Sequence, residues 1–187
     1  MLKLTGINLN LGCGTNKTSC CINVDLDLSF KPDLVFNLKH PFPIKSSSVD
    51  RVFLVHVIEH LEECLHYDLL SDIYRILKFG GLFFVSYPEF VRCAQNYIDN
   101  TRGKREFWKH TIFGRQAHKS DYHYSLMNTD DLVDLLQEIG FENIKYKEEL
   151  DKEVYNTMLV CYKGNPKMNW EDVLRQEIFE NGTNSNG

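Results

Sequence analysis

Three groups of residues in this chain have types and spacings that could do chemistry. The first is Gly12-Cys13-Gly14, which directly follows the apolar run from Ile7 to Leu11. A Gly-x-Gly turn after a strand lets the backbone approach a ligand closely, because no Cβ stands between them. A second apolar run, from Ile22 to Leu26, contains Val24-Asp25 near its end, where an acid is placed to accept hydrogen bonds from the two hydroxyls of a ribose. Two glycines can share a tight turn for steric reasons alone, and an acid can simply face solvent. Coming in this order after two strands, they point together to a nucleoside-type ligand, with Asp25 as its anchor.

The second group is His56-Val57-Ile58-Glu59-His60, an H-x-x-E-H string. That pattern serves zinc hydrolases when both histidines lie on one helical face. Here His56 ends an apolar, strand-like run, so the two rings need not converge. No metal is expected, and Glu59 and His60 read better as groups that begin the next helix and fix its loop. The third group lies between residues 92 and 124, where Arg92, Arg102, Lys104, Arg105, Lys109, Arg115 and Lys119 outnumber Asp99, Glu106 and Asp121. Tyr97, Phe107, Trp108, Phe113, Tyr122 and Tyr124 are interleaved with them. Base plus aromatic suits an anionic partner. Asp121 and His123 alternate, so in an extended segment they would point the same way, and His123 with Asp121, or His118, could take a proton.

The elements that must position these groups follow from hydrophobic periodicity. Strands are predicted over Ile7–Leu11, Ile22–Leu26, Asp33–Asn37, Asp50–Val55 and Leu82–Tyr87, with two more over Glu142–Lys147 and Val154–Tyr162. Val52 to Val55 and Leu82 to Val85 are apolar at consecutive positions, as in strands buried on both faces of a parallel sheet. Between them Leu61, Leu65, Leu69, Ile73 and Leu77 recur every four residues, which predicts a helix stopped by Gly80-Gly81. A second helix is predicted from an Asn128 or Thr129 cap to the terminator Gly140. Only ten residues separate Leu11 from Ile22, and six separate Leu26 from Asp33. A parallel crossover normally needs about a dozen, so the helical layer near the N-terminus must be reduced.

The chain has 187 residues, 43% of them hydrophobic, and a formal net charge of −5. This suits one globular domain and gives no global signature of nucleic-acid binding. No export leader or membrane span is visible, and the six cysteines form no C-x-x-C pair, so a soluble, cytoplasmic protein with free thiols is expected. The expected organisation is a domain over residues 1–165, with 92–127 as a substrate-side insertion or lid, then a helix and disordered tail over 166–187.

Read in order, Leu9-Asn10-Leu11-Gly12-Cys13-Gly14, Ile22-Asn23-Val24-Asp25, Pro41-Phe42-Pro43, Ser48-Val49-Asp50, His56 to Leu61, Arg75 to Gly81 and Gly140-Phe141 resemble the class I, S-adenosylmethionine-dependent methyltransferases of the type 11 family. The resemblance runs from about residue 7 to 147. It implies an α/β, Rossmann-like, doubly wound sheet of about seven strands, mostly parallel, with the last strand antiparallel. It also implies S-adenosylmethionine as cofactor, held by Leu11, Gly12, Cys13, Gly14, Asp25, Asn37, Leu38 and His56, with the amide of Asn37 facing the adenine. Many members carry an acid where this chain has Asn10, so contact with the cofactor's amino group would be weakened or indirect.

The function implied is O- or N-methylation of a small molecule, such as an anionic sugar or nucleotide-sugar metabolite, by a chain that could also form a homodimer. The stretch from Gly114 to His123 resembles members associated with saccharide pathways. Alternatives are a methyltransferase acting on RNA or protein, a cofactor-binding module without catalysis, and, remotely, a zinc hydrolase using His56, Glu59 and His60.

Overall fold

The computed structural model describes residues 6–148 and 156–165. Seven strands form one sheet: β1 Asn8–Leu11, β2 Ile22–Asp25, β3 Leu34–Val35, β4 Val49–Val55, β5 Leu77–Pro88, β6 Glu142–Glu148 and β7 Asn156–Tyr162. Their order is β3-β2-β1-β4-β5-β7-β6. β7 is antiparallel to both β5 and β6, and the pairs from β3 to β5 are parallel. The mixed α/β sheet with an antiparallel last strand is therefore as expected. The expected helix and tail over residues 166–187 lie outside the described residues.

Among the described residues four α-helices accompany the sheet: α1 His66–Ile76, α2 Phe90–Ile98, α3 Arg105–Phe113 and α4 Thr129–Ile139. Leu69, Leu70 and Ile73 of α1 and Leu132 and Leu136 of α4 cover one face of the sheet, against Leu9, Leu11, Val52, Leu54, Phe83 and Val85. Phe53, Leu82, Phe84, Val160 and Tyr162 form a second cluster. Successive residues of β4 and β5 thus alternate between two buried clusters, which is why these strands are apolar at every position. Asn128 caps α4 by accepting from the Asp130 amide, and Gly140 closes it in the left-handed region, as its sequence signals require.

The first predicted helix differs in extent. Leu61 and Leu65 fall in or beside two short 3-10 turns, over Ile58–His60 and Glu63–Leu65, and α1 ends at Ile76. Leu77 turns to extended geometry and already pairs with Val49. Gly80-Gly81 is therefore no helix terminator but an irregularity inside β5, where the register shifts between Val49 and Arg51 of β4. A Cβ on Gly81 would sit 2.8 Å from the Lys78 carbonyl oxygen, so the strand can fold back there only without a side chain.

Among the described residues no α-helix precedes His66. Buried asparagines hold the β1–β2 connection instead. Asn8 Nδ2 donates to the Cys20 carbonyl (3.0 Å) and Asn10 Nδ2 to the Asn16 carbonyl (2.9 Å). Asn23 accepts from Asn10 and from the Thr18 amide, and donates to Asp33. Asn10, standing where an acid is common, thus spends its amide on the loop. No described helix is long and apolar enough to cross a membrane.

Candidate active site

The expected cofactor residues gather at the carboxyl ends of the parallel strands, where open α/β sheets bind ligands. The Gly14 amide donates to Asp25 Oδ2 (2.8 Å) and the Asp27 amide to Asp25 Oδ1 (2.9 Å). Each carboxylate oxygen keeps a second lone pair for a hydroxyl donor, which fits the two hydroxyls of a ribose. Gly12 and Gly14 are both left-handed (φ +66° and +48°), but for different reasons. A Cβ on Gly12 would meet Val57 Cγ2 at 2.5 Å, whereas a Cβ on Gly14 would meet nothing within 4 Å. Gly12 therefore lets the turn pack on the chain leaving β4, and the space beside Gly14 stays open for a ligand. Cys13 is buried, and burial, then the charge of Asp25, push its thiol pKa up. After β3, Asn37 Oδ1 accepts from the Lys39 amide (3.0 Å), fixing the turn that carries Leu38.

His56 directly follows β4 in the left-handed region (φ +53°), which is uncommon for a residue with a Cβ. Its amide donates to the Ser86 carbonyl, and both ring nitrogens are engaged. Nδ1 lies 3.2 Å from Glu59 Oε1, and Nε2 lies 3.1 Å from Asn156 Nδ2. Because the amide can only donate to Nε2, the proton belongs on Nδ1, facing the carboxylate. Glu59 is fully buried and its Oε2 has no partner. Burial opposes its charge, but the bond from His56 and the nearby His56 and His60 outweigh it, so its carboxyl titrates below the ordinary value.

The segment between β5 and α4 folds back over these groups. α2 and α3 form a helical pair in which Trp108 is buried, its Nε1 donating to the Thr101 carbonyl. Beyond α3 the chain is stitched to the turn after β4. The Tyr124 and Ser125 amides reach the Glu59 carbonyl, and His60 Nδ1 lies 2.9 Å from the Tyr122 carbonyl. Glu59 and His60 therefore do not begin the next helix, which starts only at His66; the Glu59 backbone carbonyl and the His60 ring hold the far segment instead. A cavity of about 380 Å³ remains. It is lined by His56, Glu59, His60, Phe107, His110, Arg115, Asp121 and His123 among others.

The His60 and His123 rings meet edge to face at 4.8 Å. Burial holds the His123 imidazole below its ordinary pKa, while Glu59 pulls the other way. Asp121 and His123 share the cavity, but Asp121 lies in a 3-10 turn and its carboxylate pairs with His118 Nε2 (3.2 Å). The carboxylate facing His123 is that of Glu59. His118 also contacts Ser120 Oγ (2.7 Å) and is exposed. His56 and His60 do not share a helical face, since one directly follows a strand and the other ends a 3-10 turn. The hydrolase arrangement is therefore not formed. Asn156, which fixes His56, and the free oxygen of Glu59 carry no sequence signal.

The strand order and the antiparallel last strand are those of a class I methyltransferase fold. Comparison with known proteins agrees: residues 9–85 match a family model described as a methyltransferase domain. A probable S-adenosylmethionine-dependent methyltransferase of Mycolicibacterium smegmatis (strain ATCC 700084 / mc(2)155) is 29% identical over 100 residues, 54% of this chain and 31% of that protein. The match thus spans about a third of that relative's length. Solved structures share the fold. A possible histamine N-methyltransferase of Thermotoga maritima (18% identity, TM-score 0.57) covers 86% of this chain and 83% of its own. A methyltransferase of Methanosarcina mazei (14%, TM-score 0.62) covers 87% and 95%. Phosphoethanolamine N-methyltransferase 2 of Haemonchus contortus, solved with S-adenosyl-L-methionine, covers 88% and 50% (15%, TM-score 0.55). Residues 9–85 are thus similar to a methyltransferase domain, and the chain shares its fold with S-adenosylmethionine-dependent methyltransferases of known structure.

Proposed function

We propose that this chain transfers the methyl group of S-adenosylmethionine to an oxygen or nitrogen of a small anionic acceptor, such as a sugar or nucleotide-sugar metabolite. The single observation that carries this reading is the 380 Å³ cavity. It joins His56, beside the Gly12–Asp25 turn, to the basic aromatic segment, and its size suits a small ligand. Leu11, Gly12, Cys13, Gly14, Asp25, Asn37, Leu38 and His56 would hold the cofactor. When bound, it supplies a methyl group already activated by a sulfonium, so the protein has mainly to align the acceptor and take up its proton.

The chain's own residues divide that work. Arg115 offers positive charge and donors to an anionic group at the cavity wall, His110 adds a ring nitrogen, and Phe107 offers a ring face. His123, kept neutral by burial, is the base best placed to accept the acceptor's proton, with Glu59 stabilising the imidazolium that forms. Asp121 orients His118 and acts on the cavity rim, not on His123. An acceptor screen with methyl-labelled cofactor tests this. Label should enter phosphorylated sugars or nucleotide sugars, and label found only in RNA or protein would reject the small-molecule reading.

A further inference from the structure

Glu59, His60 and His123 bring one ligand atom each to within 4.8 Å of one another. The three come from two distant parts of the chain, the turn after β4 and the segment before α4. Three further observations bear on what this cluster holds. Glu59 is fully buried, yet Oε2 makes no hydrogen bond, and an orphaned buried carboxylate oxygen calls for a partner such as an ion. Its other oxygen is held by His56, which Asn156 holds in turn, so the free oxygen has a fixed direction. The histidines are prepared as well. His60 places Nδ1 on the Tyr122 carbonyl and His123 bonds the backbone of Ile112. A ring nitrogen that donates to a carbonyl leaves the other as an unprotonated lone pair.

We propose that Glu59, His60 and His123 bind a divalent transition-metal cation at the floor of the acceptor cavity. Two imidazoles and one carboxylate suit Mn²⁺ or Zn²⁺ better than a hard, all-oxygen cation. Bonds of about 2.1 Å set ligand atoms roughly 3–3.5 Å apart, so the set closes by side-chain movements of about an ångström. Three protein ligands leave positions open, and Glu59, His60 and His123 all line the cavity. The acceptor class then narrows to molecules that offer an oxygen to the cation while their anionic group meets Arg115. The expectation of no metal rested on the H-x-x-E-H string alone; the set formed here replaces His56 with His123. With a cation bound, His123 would give its lone pair to the metal; the cation would lower the pKa of the acceptor's hydroxyl, whose proton would pass to solvent water in the open cavity instead of to His123.

The inference deepens the proposed function, so its test carries a readout that separates the two. The whole chain is freed of metal with a chelator and titrated with Mn²⁺ and Zn²⁺ by calorimetry, and free Mn²⁺ is followed by electron paramagnetic resonance. Saturable binding of one cation per chain is expected for at least one of them. His60→Ala and His123→Ala should each weaken it at least about tenfold, and Glu59→Gln, checked for folding by its melting temperature, should do the same. S-adenosylmethionine affinity, measured on the same samples, should stay unchanged in His60→Ala. Absence of saturable cation binding, or binding equal in wild type and both histidine variants, would overturn the inference while leaving the methyltransferase reading intact. Cation binding without cofactor binding would do the reverse.

Discussion

Replacing Asp25 by alanine removes the group on which the cofactor assignment rests most heavily. In the free protein Asp25 accepts from the amides of Gly14 and Asp27, and in the complex its remaining lone pairs would accept two ribose hydroxyls. Hydrogen bonds to a charged group contribute about 1.5–3 kcal/mol each when well shielded. Asp25 is only half-buried, so a combined loss of about 2 kcal/mol is the realistic figure, which is roughly 30-fold in Kd. The two amides lie at the surface of the turn and can turn to water, so the melting temperature should fall by only a few degrees. Isothermal titration with S-adenosylmethionine measures the first quantity and a thermal scan the second. A folded Asp25→Ala protein that binds as tightly as wild type would refute the ribose assignment.

Three further outcomes follow from the geometry. Gly12→Ala combines a left-handed φ with a Cβ 2.5 Å from Val57 Cγ2; it should cost about 2 kcal/mol and lower the melting temperature by roughly 4–8 °C, and Val57→Ala added to it should recover part of that loss. Burial holds the His66 imidazole below its ordinary 6.5, so between that lowered value and 6.5 the unfolded chain binds a proton that the native chain refuses. Stability from this group is complete above 6.5 and falls on acidification through that window; urea midpoints against pH should show the decline, and His66→Gln should flatten it. The segment over α3 and the turn after it should close on its ligands: amides between residues 101 and 124 should exchange fast in the free protein and slow with cofactor plus acceptor, whereas equal protection in both states would mean a preformed cover.

What could be read from the sequence was what is local. The turn after β1 and the acid ending β2 lie within fourteen residues, and their chemistry depends on strand order alone, so Gly12, Gly14 and Asp25 stand where expected. The caps of α4 are likewise short-range signals. The start of α1 was obscured because Leu61, Leu65 and Leu77 keep the four-residue rhythm of Leu69 and Ile73 while serving turns and a strand. A Gly-Gly pair also looks the same as a helix stop and as a fold in a strand. α2 carries an apolar stripe in Phe90, Val91, Ala94 and Ile98 that is too short to stand out from the basic, aromatic stretch after it, and the charges and aromatics of α3 give no clean stripe beyond the buried Trp108. The polar core of the cavity was least legible. It depends on His56 meeting Asn156 across 100 residues and on His60 meeting His123, and neither pairing has a local signature.

The most direct test of the account is titration of the intact chain with S-adenosylmethionine by calorimetry, since every role assigned to the cavity presupposes a cofactor in the Gly12–Asp25 turn. One saturable site, lost or strongly weakened in Asp25→Ala, is the predicted result. A folded chain that takes up no S-adenosylmethionine at any accessible concentration would contradict it and leave a methyltransferase fold serving some other ligand.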